Sequence, residues 1–119
     1  MNFDQFNEKS KLIINDAQNN AISRNHQQVL PEHLLNSIIN NKDQFFDKLL
    51  ENCGVNVTNL KSDIESELRK IPIVSGKDIS VFLSNQLIRI LQKSNDFKTK
   101  FNDSFISPEM MLYTILNDE

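Results

Sequence analysis

The sequence predicts an all-α fold built from two similar four-helix units, the second of them truncated. Three observations carry this expectation. Apolar residues recur at helical spacing along the whole chain, and no stretch alternates apolar and polar residues long enough to require a sheet. A segment of the first half also returns in the second: Val29-Leu30-Pro31-Glu32-His33-Leu34-Leu35 reappears as Ile106-Ser107-Pro108-Glu109-Met110-Met111-Leu112, 77 residues later (108 − 31 for the two prolines). At that shift Phe6, Ile13 and Ile14 fall on Leu83, Ile90 and Leu91, and Asn25 falls on Asn102. Duplication of a whole helical unit makes the seam between the copies the natural place for a binding surface.

The first helix is expected from Phe3 to about Arg24, where Phe3, Phe6, Ser10, Ile13, Ile14, Ala17 and Ala21 mark one buried face. His26-Gln27-Gln28 is a connector. Pro31 then opens a second helix, since proline is tolerated in a first turn whose N–H groups have no helical partner. Leu34, Leu35, Ile38 and Ile39 are its buried side. A third helix runs from about Asp43 to Cys53 and is stopped by Gly54 as a left-handed cap. Its apolar side carries Phe45, Phe46, Leu49, Leu50 and Cys53, which places Cys53 in the core. Asn56 caps a fourth helix bearing Val57, Leu60, Ile64 and Leu68. Ile71-Pro72-Ile73-Val74-Ser75-Gly76 breaks the pattern, so repeat one covers about 3–70, a connector about 71–79, and repeat two about 80–119. Val81-Phe82-Leu83 enters the second repeat, and Ser84 caps a helix with Leu87, Ile88, Ile90, Leu91 and Phe97. Ser107, a better cap than its counterpart Leu30, starts the last helix. The counterparts of the third and fourth helices are missing, so the natural chain is expected to continue past Glu119.

Composition narrows the functional classes. The chain of 119 residues reads as one domain, and its net charge of −3 offers no basic face for nucleic acid. No apolar run is long enough to span a membrane. A single cysteine forms no internal disulfide, which fits a reducing, cytoplasmic compartment. His26 and His33 stand seven residues apart with Pro31 between them, and no further ligand lies at metal spacing. They read as surface or packing histidines. Asp63, Glu65 and Glu67 read as a solvated helix face. No catalytic constellation and no metal site is expected.

Four pieces in order resemble a known family: Asn25-His26-Gln27-Gln28, Pro31-Glu32-His33-Leu34-Leu35, the connector Ile71-Pro72-Ile73-Val74-Ser75-Gly76, and Asp103-Ser104-Phe105-Ile106-Ser107-Pro108-Glu109. The chain is similar, over essentially its whole length, to the Clp repeat N-terminal domain of the AAA+ Clp chaperone ATPases, with a connector of the ClpB, protein-disaggregating type. The resemblance implies a module that recognises unfolded or aggregated protein segments for threading by downstream AAA+ modules of a homohexameric parent, with a co-chaperone of that parent as a further partner. ATP and Mg are expected only on those downstream modules. Within this chain there is no Gly-x-x-x-x-Gly-Lys loop, so it is not expected to be an enzyme by itself or to hold a cofactor. An adaptor-docking domain of a proteolytic ClpC/ClpA-type ATPase is one alternative. A non-catalytic helical scaffold that dimerises through its incomplete half is another.

The resemblance also implies a substrate surface beside the last two helices. Its acidic members fall on Asp103 and Glu109, and Asn7 stands where threonine is usual. Its apolar members fall on Leu91, Phe97 and Met110, while another commonly apolar position is Lys93 here. Each residue has a structural alternative. Glu109 suits the positive end of a helix, Asp103 in Asn102-Asp103-Ser104 suits a turn, and Leu91 aligns with Ile14 and suits a core. Phe97 and Met110 align with polar Asn20 and His33, which singles out the second repeat as the one with apolar side chains to spare.

Overall fold

The computed structural model describes residues 3–41, 45–75 and 80–117. Among these, six helices follow in order: α1 (Glu8–Ser23), α2 (Pro31–Ile39), α3 (Phe45–Asn52), α4 (Val57–Arg69), α5 (Asn85–Lys100) and α6 (Pro108–Leu116). Two short strands, β1 (Gln28–Val29) and β2 (Phe82–Leu83), complete the fold. The expected start of the third helix at Asp43, the side chain of Phe45, the end of the connector from Gly76 and the terminal Glu119 lie outside the described residues.

α1 begins five residues later than its apolar spacing predicts. The reason is a backbone exchange between the halves. Gln5 and Asn7 give their backbone groups to Ile106, with Ile106 N–H donating to Gln5 O at 2.7 Å and Asn7 N–H to Ile106 O at 2.9 Å. Phe6 and Ile106 thereby form an isolated parallel bridge, which is incompatible with helical hydrogen bonding at those residues. The second exchange is the strand pair, parallel with Val29 opposite Leu83. The 77-residue shift carries Phe6 onto Leu83 and Val29 onto Ile106, so the two pairings are copies of one contact. Each half lends the residue before its long helix to the other half. Neither pairing is long enough to leave an alternating run in the sequence.

The duplication holds at the helix ends too. Asn7 caps α1 by accepting from Ser10 N–H at 2.8 Å, and its counterpart Ser84 caps α5 by accepting from Leu87 N–H at 3.1 Å. Asn25 and Asn102 close the two long helices with φ of 60° and 58°, the left-handed region that asparagine tolerates better than most side chains. The next residue then folds back identically, His26 N–H to Ala21 O at 2.9 Å and Asp103 N–H to Lys98 O at 3.0 Å. Gly54, with φ of 85°, ends α3 as the sequence predicts.

One core lies where the two halves meet, and Ile13, Ile14, Leu34, Ile38, Leu87, Leu91 and Met111 are buried there. A second, smaller core gathers Ile39, Leu50, Val57, Ile64 and Leu68 among α2, α3 and α4. Cys53 is exposed, contrary to expectation. On α3 the buried row is Phe46 and Leu50, four residues apart, and Leu49 and Cys53 form the neighbouring row that faces out. Among the described residues no helix is long and apolar enough to cross a membrane.

Candidate binding site

α5 and α6 meet at the end of the molecule where the second repeat turns from one helix to the next. Ser107 caps α6 by accepting from Met110 N–H at 3.4 Å, and Pro108 occupies the first turn. Deeper in, Thr114 donates to Met110 O at 2.7 Å and accepts from Ser94 Oγ at 3.0 Å, which pins α6 to α5. Above this anchor is a hollow of about 330 Å³ lined by Phe101, Asp103, Ser107, Glu109, Met110 and Tyr113. Asp103 and Glu109 are exposed carboxylates on its rim. Met110, buried, supplies its floor. Phe97 stands half-buried behind it, edge-on to Tyr113 with ring centroids 4.8 Å apart and stacked on Phe101 at 6.2 Å.

The wall is more apolar than the family resemblance implies. Phe101 and Tyr113 are about half exposed, at 53% and 48%, and Phe105 and Leu116 are open as well. Scattered exposed apolar residues are normal, but an aromatic cluster beside a hollow is what a binding surface looks like. Phe101 and Tyr113 were legible by the same comparison that singled out Phe97 and Met110, because their first-repeat counterparts are the polar Arg24 and Asn36.

Three expected site residues do not line the hollow: Phe97 stands behind it, and Leu91 and Asn7 lie elsewhere. Leu91 is 1% exposed and packs in the central core, as its counterpart Ile14 does; the apolar face of α5 at that turn points at the seam, so Leu91 is a core residue. Asn7 has its side-chain oxygen committed to the α1 cap and is not part of the hollow's lining. Lys93 is exposed on α5. Asp103, Glu109 and Met110 are brought together, with Phe97 behind them.

The first repeat fills the corresponding place differently. His26 Nδ1 and His33 Nε2 lie 2.8 Å apart in a buried contact. His33 Nδ1 accepts from Leu30 N–H at 2.9 Å, which supplies for Leu30 the return half of a helix-capping exchange that its own side chain has no oxygen to complete. The His33 proton therefore sits on Nε2 and is donated to His26 Nδ1. Burial lowers the His33 pKa to about 4, helped by His26 and by Arg24. His26 is lowered as well, by burial and then by Arg24. Arg24 itself turns away to grip Glu65 on α4 through two bonds of 2.7 Å. The pairing of the two histidines is not legible in the sequence, because a seven-residue gap across a new helix start carries no periodic signal. Among the described residues no group of three or more His, Cys, Asp or Glu could hold a metal ion.

The architecture, two copies of one helical unit that exchange their entry strands, is that of a helical-repeat domain. The particular family follows from comparison: the model of the Clp repeat (R) N-terminal domain matches residues 5–119, and the chain belongs to that family. The chaperone protein ClpB of Mesorhizobium japonicum is 31% identical over 115 residues, covering 97% of this chain and 13% of that protein. The chain thus spans about one-eighth of the length of that curated relative. The crystal structure of the Hsp104 N-terminal domain from Candida albicans superposes with a TM-score of 0.88 at 25% identity, over 97% of this chain and 75% of that one. A ClpV N-domain solved in complex with a VipB peptide shares the fold, with a TM-score of 0.76 at 21% identity over 94% of this chain and 68% of that one.

Proposed function

We propose that this domain captures unfolded or aggregated polypeptide segments for a Clp-type disaggregating ATPase. The observation that carries the reading is the hollow beside α6, apolar on its floor and walls and edged by the carboxylates of Asp103 and Glu109. An unfolded chain presents apolar side chains and unpaired backbone N–H groups together. Met110 and the rings of Phe101 and Tyr113 accept the former, and the flexible thioether of methionine adapts to many shapes. The carboxylates accept hydrogen bonds from the latter and attract Lys or Arg, as charge-assisted contacts are the stronger ones. Ordering a segment costs ~1–2 kcal/mol of backbone entropy per residue, which keeps affinity low and release easy. The family to which the chain belongs, and a ClpV relative of the same fold solved with a peptide, support this assignment. ATP, Mg and the hexameric ring belong, in this reading, to AAA+ modules of the parent protein.

The test is the double substitution Asp103→Ala with Glu109→Ala, titrated against a fluorescently labelled, permanently unfolded protein such as reduced, carboxymethylated lactalbumin. Affinity should fall about fivefold, because each exposed charge contact is worth ~0–1 kcal/mol. The melting temperature should drop only slightly, reflecting the ~0.3–1 kcal/mol that an acid contributes at a helix start. Equal loss of stability and binding would make both residues structural. Tight, saturable binding of a folded adaptor, with unfolded protein ignored, would favour the adaptor-docking role.

A further inference from the structure

The two repeats build the same backbone corner and fill it with different side chains. The 77-residue shift places His26 and His33 where the second repeat has Asp103 and Met110. The corner itself is shared: left-handed Asn25 and Asn102 precede it, the same fold-back hydrogen bond follows at 2.9 and 3.0 Å, and Pro31 and Pro108 start the next helix. In the first repeat both rings are buried, 3% and 0% exposed, and hydrogen-bond to each other across the corner. In the second repeat no such bond can form, since a carboxylate and a thioether both lack a donor proton. Asp103 therefore stays in solvent, Met110 stays below, and the space between them is open.

We propose that the first repeat holds a second copy of the polypeptide hollow that the His26–His33 pair keeps shut, so that these two side chains limit the domain to one binding site. The proposal rests on the reading that the open hollow takes unfolded polypeptide. Arg24 reinforces the asymmetry. It stands where Phe101 rims the open hollow, and there a charged guanidinium bound to Glu65 on α4 replaces the aromatic ring. The first corner has neighbours that the second lacks among the described residues, since Val74 N–H donates to Asn25 O at 2.9 Å and Glu65 of α4 binds Arg24, but it is the ring pair that occupies the place of the hollow itself.

Two variants test this against the natural chain, with reduced, carboxymethylated lactalbumin as the probe. Asp103→His with Met110→His should install the ring pair in the second repeat. Its crystal structure should have the hollow filled, and its affinity for the probe should fall by ~tenfold or more without loss of melting temperature. His26→Asp with His33→Met and Arg24→Phe should open the first repeat, and the probe should then shift NMR signals of residues 24–36, which it leaves unmoved in the natural chain. The proposal is overturned if the first variant pairs its rings and still binds as the natural chain does. It is equally overturned if the opened variant's crystal structure has neighbouring side chains filling the space beside residue 26. Should that second variant fail to fold, the first decides alone. If the natural chain ignores the probe altogether, the polypeptide reading falls, and closure is judged by whether the two crystal structures have the corner filled and open respectively.

Discussion

His33 ties the first repeat's chemistry to its stability. Its folded pKa is about 4, below the ~6.5 of a free histidine, because burial and the neighbouring His26 and Arg24 all disfavour a charge there. A depressed histidine pKa means that the unfolded chain binds the proton first. Stability is therefore complete above pH ~6.5 and is lost as pH falls toward 4, by up to about 3 kcal/mol for this one group. Melting temperatures between pH 7 and 4.5 should decline, and His33→Gln, which keeps a donor for His26, should flatten the decline. An identical pH profile in both proteins would remove the histidine pair from the explanation. Leu91 makes the opposite lesson at the same scale. Family resemblance placed it in the groove, but its alignment with Ile14 already pointed to the core, where it is found. Leu91→Ala should cost ~2–5 kcal/mol, as a buried leucine does. Half-buried Leu35 should cost less. Denaturant midpoints distinguish the two.

At the scale of elements, the helix ends decide where the site sits. Asn102 takes a left-handed conformation that turns the chain off α5 and sets Asp103 at the mouth of the hollow. Asn102→Ala should destabilise by ~1 kcal/mol, because alanine keeps the Cβ that crowds a left-handed residue and loses the short polar side chain that offsets it, whereas Asn102→Gly should be close to neutral. Equal midpoints for Ala and Gly would argue that the turn relaxes. Ser84→Ala, which removes the α5 cap, should cost ~1 kcal/mol in the same assay. These caps were readable from sequence because Ser, Asn and Gly report a local backbone need. The entry of α1 was not. Its register was overridden by Ile106, a residue in the other half that takes the hydrogen bonds of Gln5 and Asn7, and no local window contains that information.

For the whole molecule, the repeat was the most legible feature and also the source of what was missed. The family resemblance supplied Phe97 and Met110, comparing the halves position by position set them apart from their polar counterparts, and the same comparison carried further finds Phe101, Tyr113 and the His26–His33 corner. Spacing on one helix face could not separate Leu91 from Phe97, because both follow the helical period and only the packing of α5 against the seam buries one and leaves the other half open. Cys53 failed for a like reason: α3 is short, and its contact with α2 and α4 covers a single row of side chains. What makes the fold useful is that one backbone plan, copied and joined by exchanged strands, is free to differ at a few surface corners without disturbing its core.

The most direct measurement is an NMR titration of the natural chain with reduced, carboxymethylated lactalbumin, read residue by residue. The account predicts shifts concentrated at Phe97, Phe101, Asp103, Glu109, Met110 and Tyr113, with α3 and α4 unmoved. Shifts confined to residues 45–69, with the α5–α6 corner silent, would contradict it.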